Sequence, residues 1–161
     1  RVVFCTETLN GDEFTVRKLF YSCSLVAFSL GVFYYRQDNP LAITKKPSIR
    51  RFEYLETNKM ILDFLEKNSF TESEKNIFRS YAFVELITLQ LLLYKNRKYF
   101  SFVDFDRCMS LIKKEYAKIK QMEITFKKYS YLKKILLCNN YFLFCVTCKT
   151  FVILNNIKRR F

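Results

Sequence analysis

Apolar side chains recur every three to five residues between Asp12 and Cys23, at Phe14, Leu19, Phe20 and Cys23, which lays them along one face of a short helix. Asn10 stands where a cap is needed, and Asp12 and Glu13 fall in the first turn, where the positive end of the helix dipole favours carboxylates. Leu25 to Tyr35 is patterned differently. Its β-branched and aromatic residues alternate loosely and give way to Arg36-Gln37-Asp38-Asn39-Pro40, which predicts a strand running into a loop. Pro40 and Pro47 bracket a connection containing Lys45 and Lys46, and Ser48 is placed to cap a second helix over Ile49 to Lys67.

Thr71-Glu72-Ser73-Glu74 fits a capping box, and the long apolar run from Ile77 to Tyr94 that follows predicts the third helix. Glu85, Thr88 and Gln90 interrupt that run, as suits a core helix better than a membrane span. Ser101 or Asp104 opens a fourth helix reaching about Lys120, with Phe105, Met109, Ile112, Tyr116 and Ile119 at helical spacing. The stretch from Tyr129 to Phe161 holds one more apolar run, Tyr141 to Leu154, broken by Lys149 and followed by Lys158-Arg159-Arg160.

Composition sharpens this reading. Two glycines and two prolines in 161 residues, half of them apolar, argue against disorder and against a turn-rich all-β fold. A formal net charge of +13 calls for an anionic partner, for which nucleic acid, anionic lipid and phosphorylated small molecules all qualify. Six cysteines, at positions 5, 23, 108, 138, 145 and 148, are too sparse for a disulfide scaffold and read as reduced thiols. Cys145 and Cys148 form a C-x-x-C, but without histidine or a second such pair they read as a buried structural pair, not a zinc site. The chain opens at Arg1 on an apolar Val2-Val3-Phe4 without a signal-peptide pattern, and reads as a piece of a longer protein.

The stretch Val3-Phe4-Cys5-Thr6-Glu7-Thr8-Leu9-Asn10-Gly11-Asp12-Glu13-Phe14 resembles the end of the catalytic domain of family 2 glycosyltransferases, where an apolar strand leads to an acidic Glu-Asp-Glu-Phe motif opening a helix. Val32-Phe33-Tyr34-Tyr35-Arg36-Gln37 is similar to the Leu-Tyr-Tyr-Tyr-Arg-Gln element of the same family, and the order and distance of the two elements are similar as well. The resemblance covers about the first forty residues and is to the inverting enzymes of GT-A fold that build bacterial polysaccharide and lipopolysaccharide.

It implies an α+β chain: residues 1–47 as the small β remnant of an α/β catalytic domain, and 48–161 as a mainly helical C-terminal region. It implies that Asp12 is the catalytic base that deprotonates the acceptor hydroxyl, and that Glu13, Arg36 and Gln37 meet donor or acceptor. The implied partners are a nucleotide-sugar donor and a glycan or lipid-linked acceptor, at a cytoplasmic location with peripheral attachment to the inner face of the membrane. The implied cofactor is a divalent metal, Mg or Mn, whose ligands are not in this chain. Two departures stand out: Gly11 occupies a position that is commonly Glu, and no Asp-x-Asp precedes Asp12, so the donor-binding half is expected upstream. Read from the residues alone, Asp12 serves only the helix dipole and Arg36 is a solvated side chain at a strand end.

The run Tyr141 to Leu154 would measure about 21 Å as a helix, short of a hydrocarbon core of about 30 Å. Flanked by Lys133-Lys134 and Lys158-Arg159-Arg160, it suits an anionic membrane surface, or alternatively packs on the third helix with its lysines solvated. A function of another class is a basic helical module without catalysis, a membrane-surface scaffold or a nucleic-acid binder that uses lysines on phosphate and aromatics for stacking. The aromatics sit on apolar faces and no recognised binding motif occurs, which disfavours nucleic acid.

Overall fold

The computed structural model of the protein describes residues 2–6, 8, 10–27, 31, 47–122, 124 and 140–158. They form α1 (Gly11–Ser22), a 3-10 turn (Ile49–Glu53), α2 (Tyr54–Lys67), α3 (Glu72–Lys95), a second 3-10 turn (Arg97–Tyr99), α4 (Phe102–Gln121) and α5 (Tyr141–Lys158).

The expected α+β class is corrected: the described residues are about 79% helical and contain no strand, so the fold is all-α. Of the proposed strand Leu25–Tyr35, residues 25–27 and 31 are described and carry no regular structure. The rest of that segment, with Arg36 and Gln37, lies outside the described residues. Alternating β-branched and aromatic residues hold a strand only against a ladder partner, and no described residue offers one.

The helix starts follow local chemistry. Thr71 Oγ1 accepts from the Glu74 N–H at 3.3 Å while the Thr71 N–H donates to Glu74 Oε2 at 2.8 Å, completing the capping box of α3. Ser101 Oγ accepts from the Asp104 N–H at 3.0 Å and so starts α4. Ser48 accepts from the Arg50 N–H at 3.2 Å, but it opens the 3-10 turn, and α2 begins only at Tyr54.

α3 is the centre of the fold, packed by α2, α4 and α5, while α1 leans on α2. Phe78, Ala82, Leu86, Leu89 and Leu93 recur along α3 at intervals of three and four, with Phe83 beside Ala82, and all are buried. All but Phe78 join one core cluster with Phe52, Leu55, Phe100, Cys108, Ile112, Tyr116, Ile119, Phe144 and Cys148. By length and composition α3 is the one helix among the described residues that could cross a membrane, but its apolar side is the seam of this core.

Gln90 is a polar intruder in that seam. It is fully buried, its Nε2 donates only to Met109 Sδ at 3.3 Å, and its Oε1 has no partner among the described residues. A thioether is a weak acceptor, and an unpaired buried carbonyl retains its desolvation cost. Gln90→Met, which keeps the volume and removes both groups, is expected to leave stability unchanged or raise it by about 1 kcal/mol. The urea midpoint checks this, and a clear fall would mean that Gln90 has a partner in solution.

A charge clasp closes the α2–α3 corner. Glu66 pairs with Lys75 at 3.1 Å and Arg79 at 2.6 Å, and Glu72 pairs with the same two cations at 3.0 Å each. Hydrogen bonds from Arg79 to Glu66 and from Lys75 to Glu72 hold both carboxyls below their ordinary value of 4.5. A carboxyl lowered in the fold stabilises above its ordinary value, and that contribution is lost as pH falls below it. The melting temperature is therefore expected to drop below about pH 4.5 by less in Arg79→Met than in the native chain, and added salt should shrink the difference. Parallel melting curves across that range are the measurement.

Candidate functional site

The first turn of α1 is built around a glycine. The Gly11 N–H donates to the Thr8 carbonyl at 3.1 Å, and a Cβ at position 11 would lie 2.2 Å from the carbonyl oxygen of Cys5. No side chain fits there, which is a physical reason for Gly11 where the resembling family commonly carries Glu. Residue 5 is held in turn because its N–H donates to Thr15 Oγ1 at 2.9 Å, while that hydroxyl donates to the Gly11 carbonyl at 2.9 Å. Thr8 and Thr57 share a hydroxyl hydrogen bond of 2.7 Å that ties this turn to α2. Edge-on packing of Phe14 and Tyr21 on Phe64, at 6.2 and 5.3 Å, fixes the rest of α1 on α2, and Arg17 lies 5.3 Å over the Phe78 ring of α3.

The two acidic residues of this turn differ sharply. Glu13 accepts from Asn10 Nδ2 and pairs with Arg17 one turn on. Asn10 thus spends its side chain on Glu13 and makes no side-chain cap, contrary to its expected role. Asp12 is exposed and makes no hydrogen bond or ion pair among the described residues.

Arg51, Tyr54 and Glu85, all half-buried, form with the more exposed Tyr81 a group coupled electrostatically to Glu13, which sequence reasoning missed. Burial raises the Glu85 carboxyl above its ordinary range, opposed by Arg51 and reinforced by Glu13. The Tyr54 hydroxyl is likewise raised by burial and opposed by Arg51, with Glu85, Glu13 and Asp12 adding to the rise. A lone carboxylate in the most apolar stretch of α3 was the available signal for Glu85.

The cavities lie elsewhere. Two adjoining ones of about 260 and 330 Å³ between α2 and α4 share Leu55, Lys59, Glu115 and Lys118, and an apolar groove of about 470 Å³ runs between α3 and α5. Asp12 and Glu13 line none of them, and Arg36 and Gln37 lie outside the described residues, so only the first two of the four expected site residues are brought together.

A divalent metal does not fit what is described: no group of three His, Cys, Asp or Glu comes together among the described residues. Asp104-Phe105-Asp106 has the spacing of a metal motif, but on α4 its two side chains point about 160° apart, and Asp104 takes part in the Ser101 cap. The C-x-x-C of α5 has Cys148 buried, its thiol pushed up to about 12, which leaves it a poor thiolate and a packing group. No family model, curated protein or solved structure matches the chain.

Proposed function

We propose that the chain is the C-terminal portion of an inverting family 2 glycosyltransferase, with Asp12 as the base that accepts the proton of the acceptor hydroxyl. The observation that carries this reading is the state of Asp12: an exposed carboxylate without a partner among the described residues, on a turn pinned at Cys5, Gly11, Thr15 and Thr57, while its neighbour Glu13 is committed to Asn10 and Arg17. A sugar hydroxyl is a poor nucleophile, and a positioned carboxylate supplies about 10²- to 10⁴-fold in rate. The acceptor oxygen forms its bond to the anomeric carbon as its proton passes to Asp12, and the bond to the nucleoside diphosphate breaks on the opposite face.

The donor-binding half, and with it the metal ligands, belongs to sequence outside these 161 residues, and Arg36 and Gln37 are assigned to binding donor or acceptor. Glu85, Tyr54 and Arg51 then form the polar wall behind the acceptor. The test incubates the protein, with its donor-binding half attached, with a panel of nucleotide sugars, following nucleoside diphosphate release and the anomeric configuration of the product by NMR. Inverted product is expected; a retained anomer, or no release with any donor, overturns the reading.

A further inference from the structure

α5 is largely apolar, yet it buries only one side. Phe144 and Cys148 are sunk in the core and Tyr141 and Cys145 pack against it, whereas on the outer side Phe142 is 72% exposed and Val146 and Ile153 about half exposed. At 100° per residue these three fall within about 40° of one another, so they form one stripe, with exposed Lys149 along its edge about 20° from Phe142. The stripe continues into the groove of about 470 Å³, where Val146, Phe151 and Leu154 face Val84, Ile87 and Leu91 of α3. A bare apolar patch of this kind, rimmed by polar residues, marks a surface that docks on something.

Charge says what that something is. After Glu123 the sequence contains no Asp or Glu, but it carries Lys127, Lys128, Lys133, Lys134, Lys149, Lys158, Arg159 and Arg160. Eight of the 28 cations and none of the 15 acids therefore fall in the last 38 residues, leaving 20 cations against 15 acids in the first 123. A second copy of the chain would bring two such tails together, and like charges would oppose the contact. Nucleic acid would satisfy the cations but leave Val146 and Ile153 of the stripe in water. An anionic lipid surface satisfies both, taking the apolar stripe below its headgroups and the cations among them. At 18 residues α5 is about 27 Å long, with Lys149 near its middle, and so suits lying in the interface better than crossing it.

We infer that the apolar face shared by α3 and α5 is a docking surface for anionic lipid, with the acid-free C-terminal sequence supplying the electrostatic half of the attachment. This surface is separate from Asp12 and stands whether or not the chain transfers sugar. The test is flotation of the chain with vesicles of phosphatidylcholine alone and of phosphatidylcholine mixed with phosphatidylglycerol. Binding at least about tenfold tighter to the anionic vesicles is expected, weakening as salt is added.

The triple variant Phe142→Asp/Val146→Asp/Ile153→Asp should bind at least about tenfold more weakly than the native chain. Lys113→Gln/Lys120→Glu, which changes net charge equally on exposed positions of α4, should change binding less than about threefold. Circular dichroism confirms that the triple variant is folded, and Phe142→Asp alone, at the most exposed of the three positions, carries the same comparison if it is not. Equal binding to both vesicle types, native-like flotation of the acidic variants, or a dimer in sedimentation that those variants dissolve would each overturn the inference, the last by making a second copy the occupant.

Discussion

Asp12→Asn, made in the protein with its donor-binding half attached, is expected to lower sugar transfer by about 10²- to 10⁴-fold, the range that general-base catalysis contributes. That is about 3 to 5 kcal/mol of transition-state stabilisation. The substitution keeps the shape of the side chain and removes its ability to take a proton. It should leave the fold intact, because Asp12 is exposed and makes no hydrogen bond or ion pair among the described residues. The melting temperature separates loss of chemistry from loss of structure. Asp12→Glu, which returns a carboxylate displaced by one methylene, is expected to recover part of the rate. Glu13→Gln should behave differently, since Glu13 is tied to Asn10 and Arg17 and its loss loosens the first turn of α1 without removing the base. If Asp12→Asn transfers sugar at the native rate, Asp12 is a first-turn carboxylate that serves only the helix dipole.

The parts of this structure that could be read from sequence are those in which neighbouring residues settle the conformation between them. Thr71 and Glu74 complete a reciprocal cap that needs no other element, and α3 starts where that pair places it. Ser101 and Asp104 do the same for α4, whose Phe105, Met109, Ile112, Tyr116 and Ile119 lie on or against the core as their spacing requires. The misreadings arise where a choice depends on distant partners. Leu25 to Tyr35 reads as a strand because β-branched and aromatic residues suit a ladder, but a ladder is set by partners distant in sequence, and the described residues 25–27 and 31 carry no regular structure.

The start of α2 was displaced for a related reason: Ser48 caps as expected, yet Phe52 is buried beside Phe100 by a tighter 3-10 turn before the α-helix begins. Asn10 was expected at the helix end and is there, but its amide goes to the Glu13 carboxylate instead of the backbone. At the candidate site, Asp12 and Glu13 were legible as a motif and indistinguishable as carboxylates, and only the contacts of Glu13 with Asn10 and Arg17 separate them. Gly11 read as a missing acid; its tight approach to the Cys5 carbonyl is a contact between backbones that no side-chain pattern encodes.

Phe83→Ala is expected to cost about 3–5 kcal/mol, the range for deleting a fully buried phenylalanine. Against a total stability of about 5–15 kcal/mol for a domain, this is enough to bring the chain close to unfolding. Phe83 has no exposed surface and sits on the side of α3 that receives α5, where its ring lies 6.5 Å from that of Phe144. Phe144 is itself fully buried, 4.9 Å from Tyr116 of α4 and 6.0 Å from Tyr141, so one ring of α5 is gripped by two other helices. A polar tie of α5 to α4 is the Tyr141 hydroxyl donating to the Met109 carbonyl at 3.2 Å. Removing Phe83 therefore opens a cavity beneath the residue that anchors α5, and α5 should exchange its amide hydrogens faster than α2 or α4 do in the same variant. Ile77→Ala, on the same helix at a position 66% exposed, is expected to stay within about 0.5 kcal/mol. Urea unfolding of the two variants beside the native chain measures the contrast, and equal costs would mean that α3 does not present Phe83 to the core.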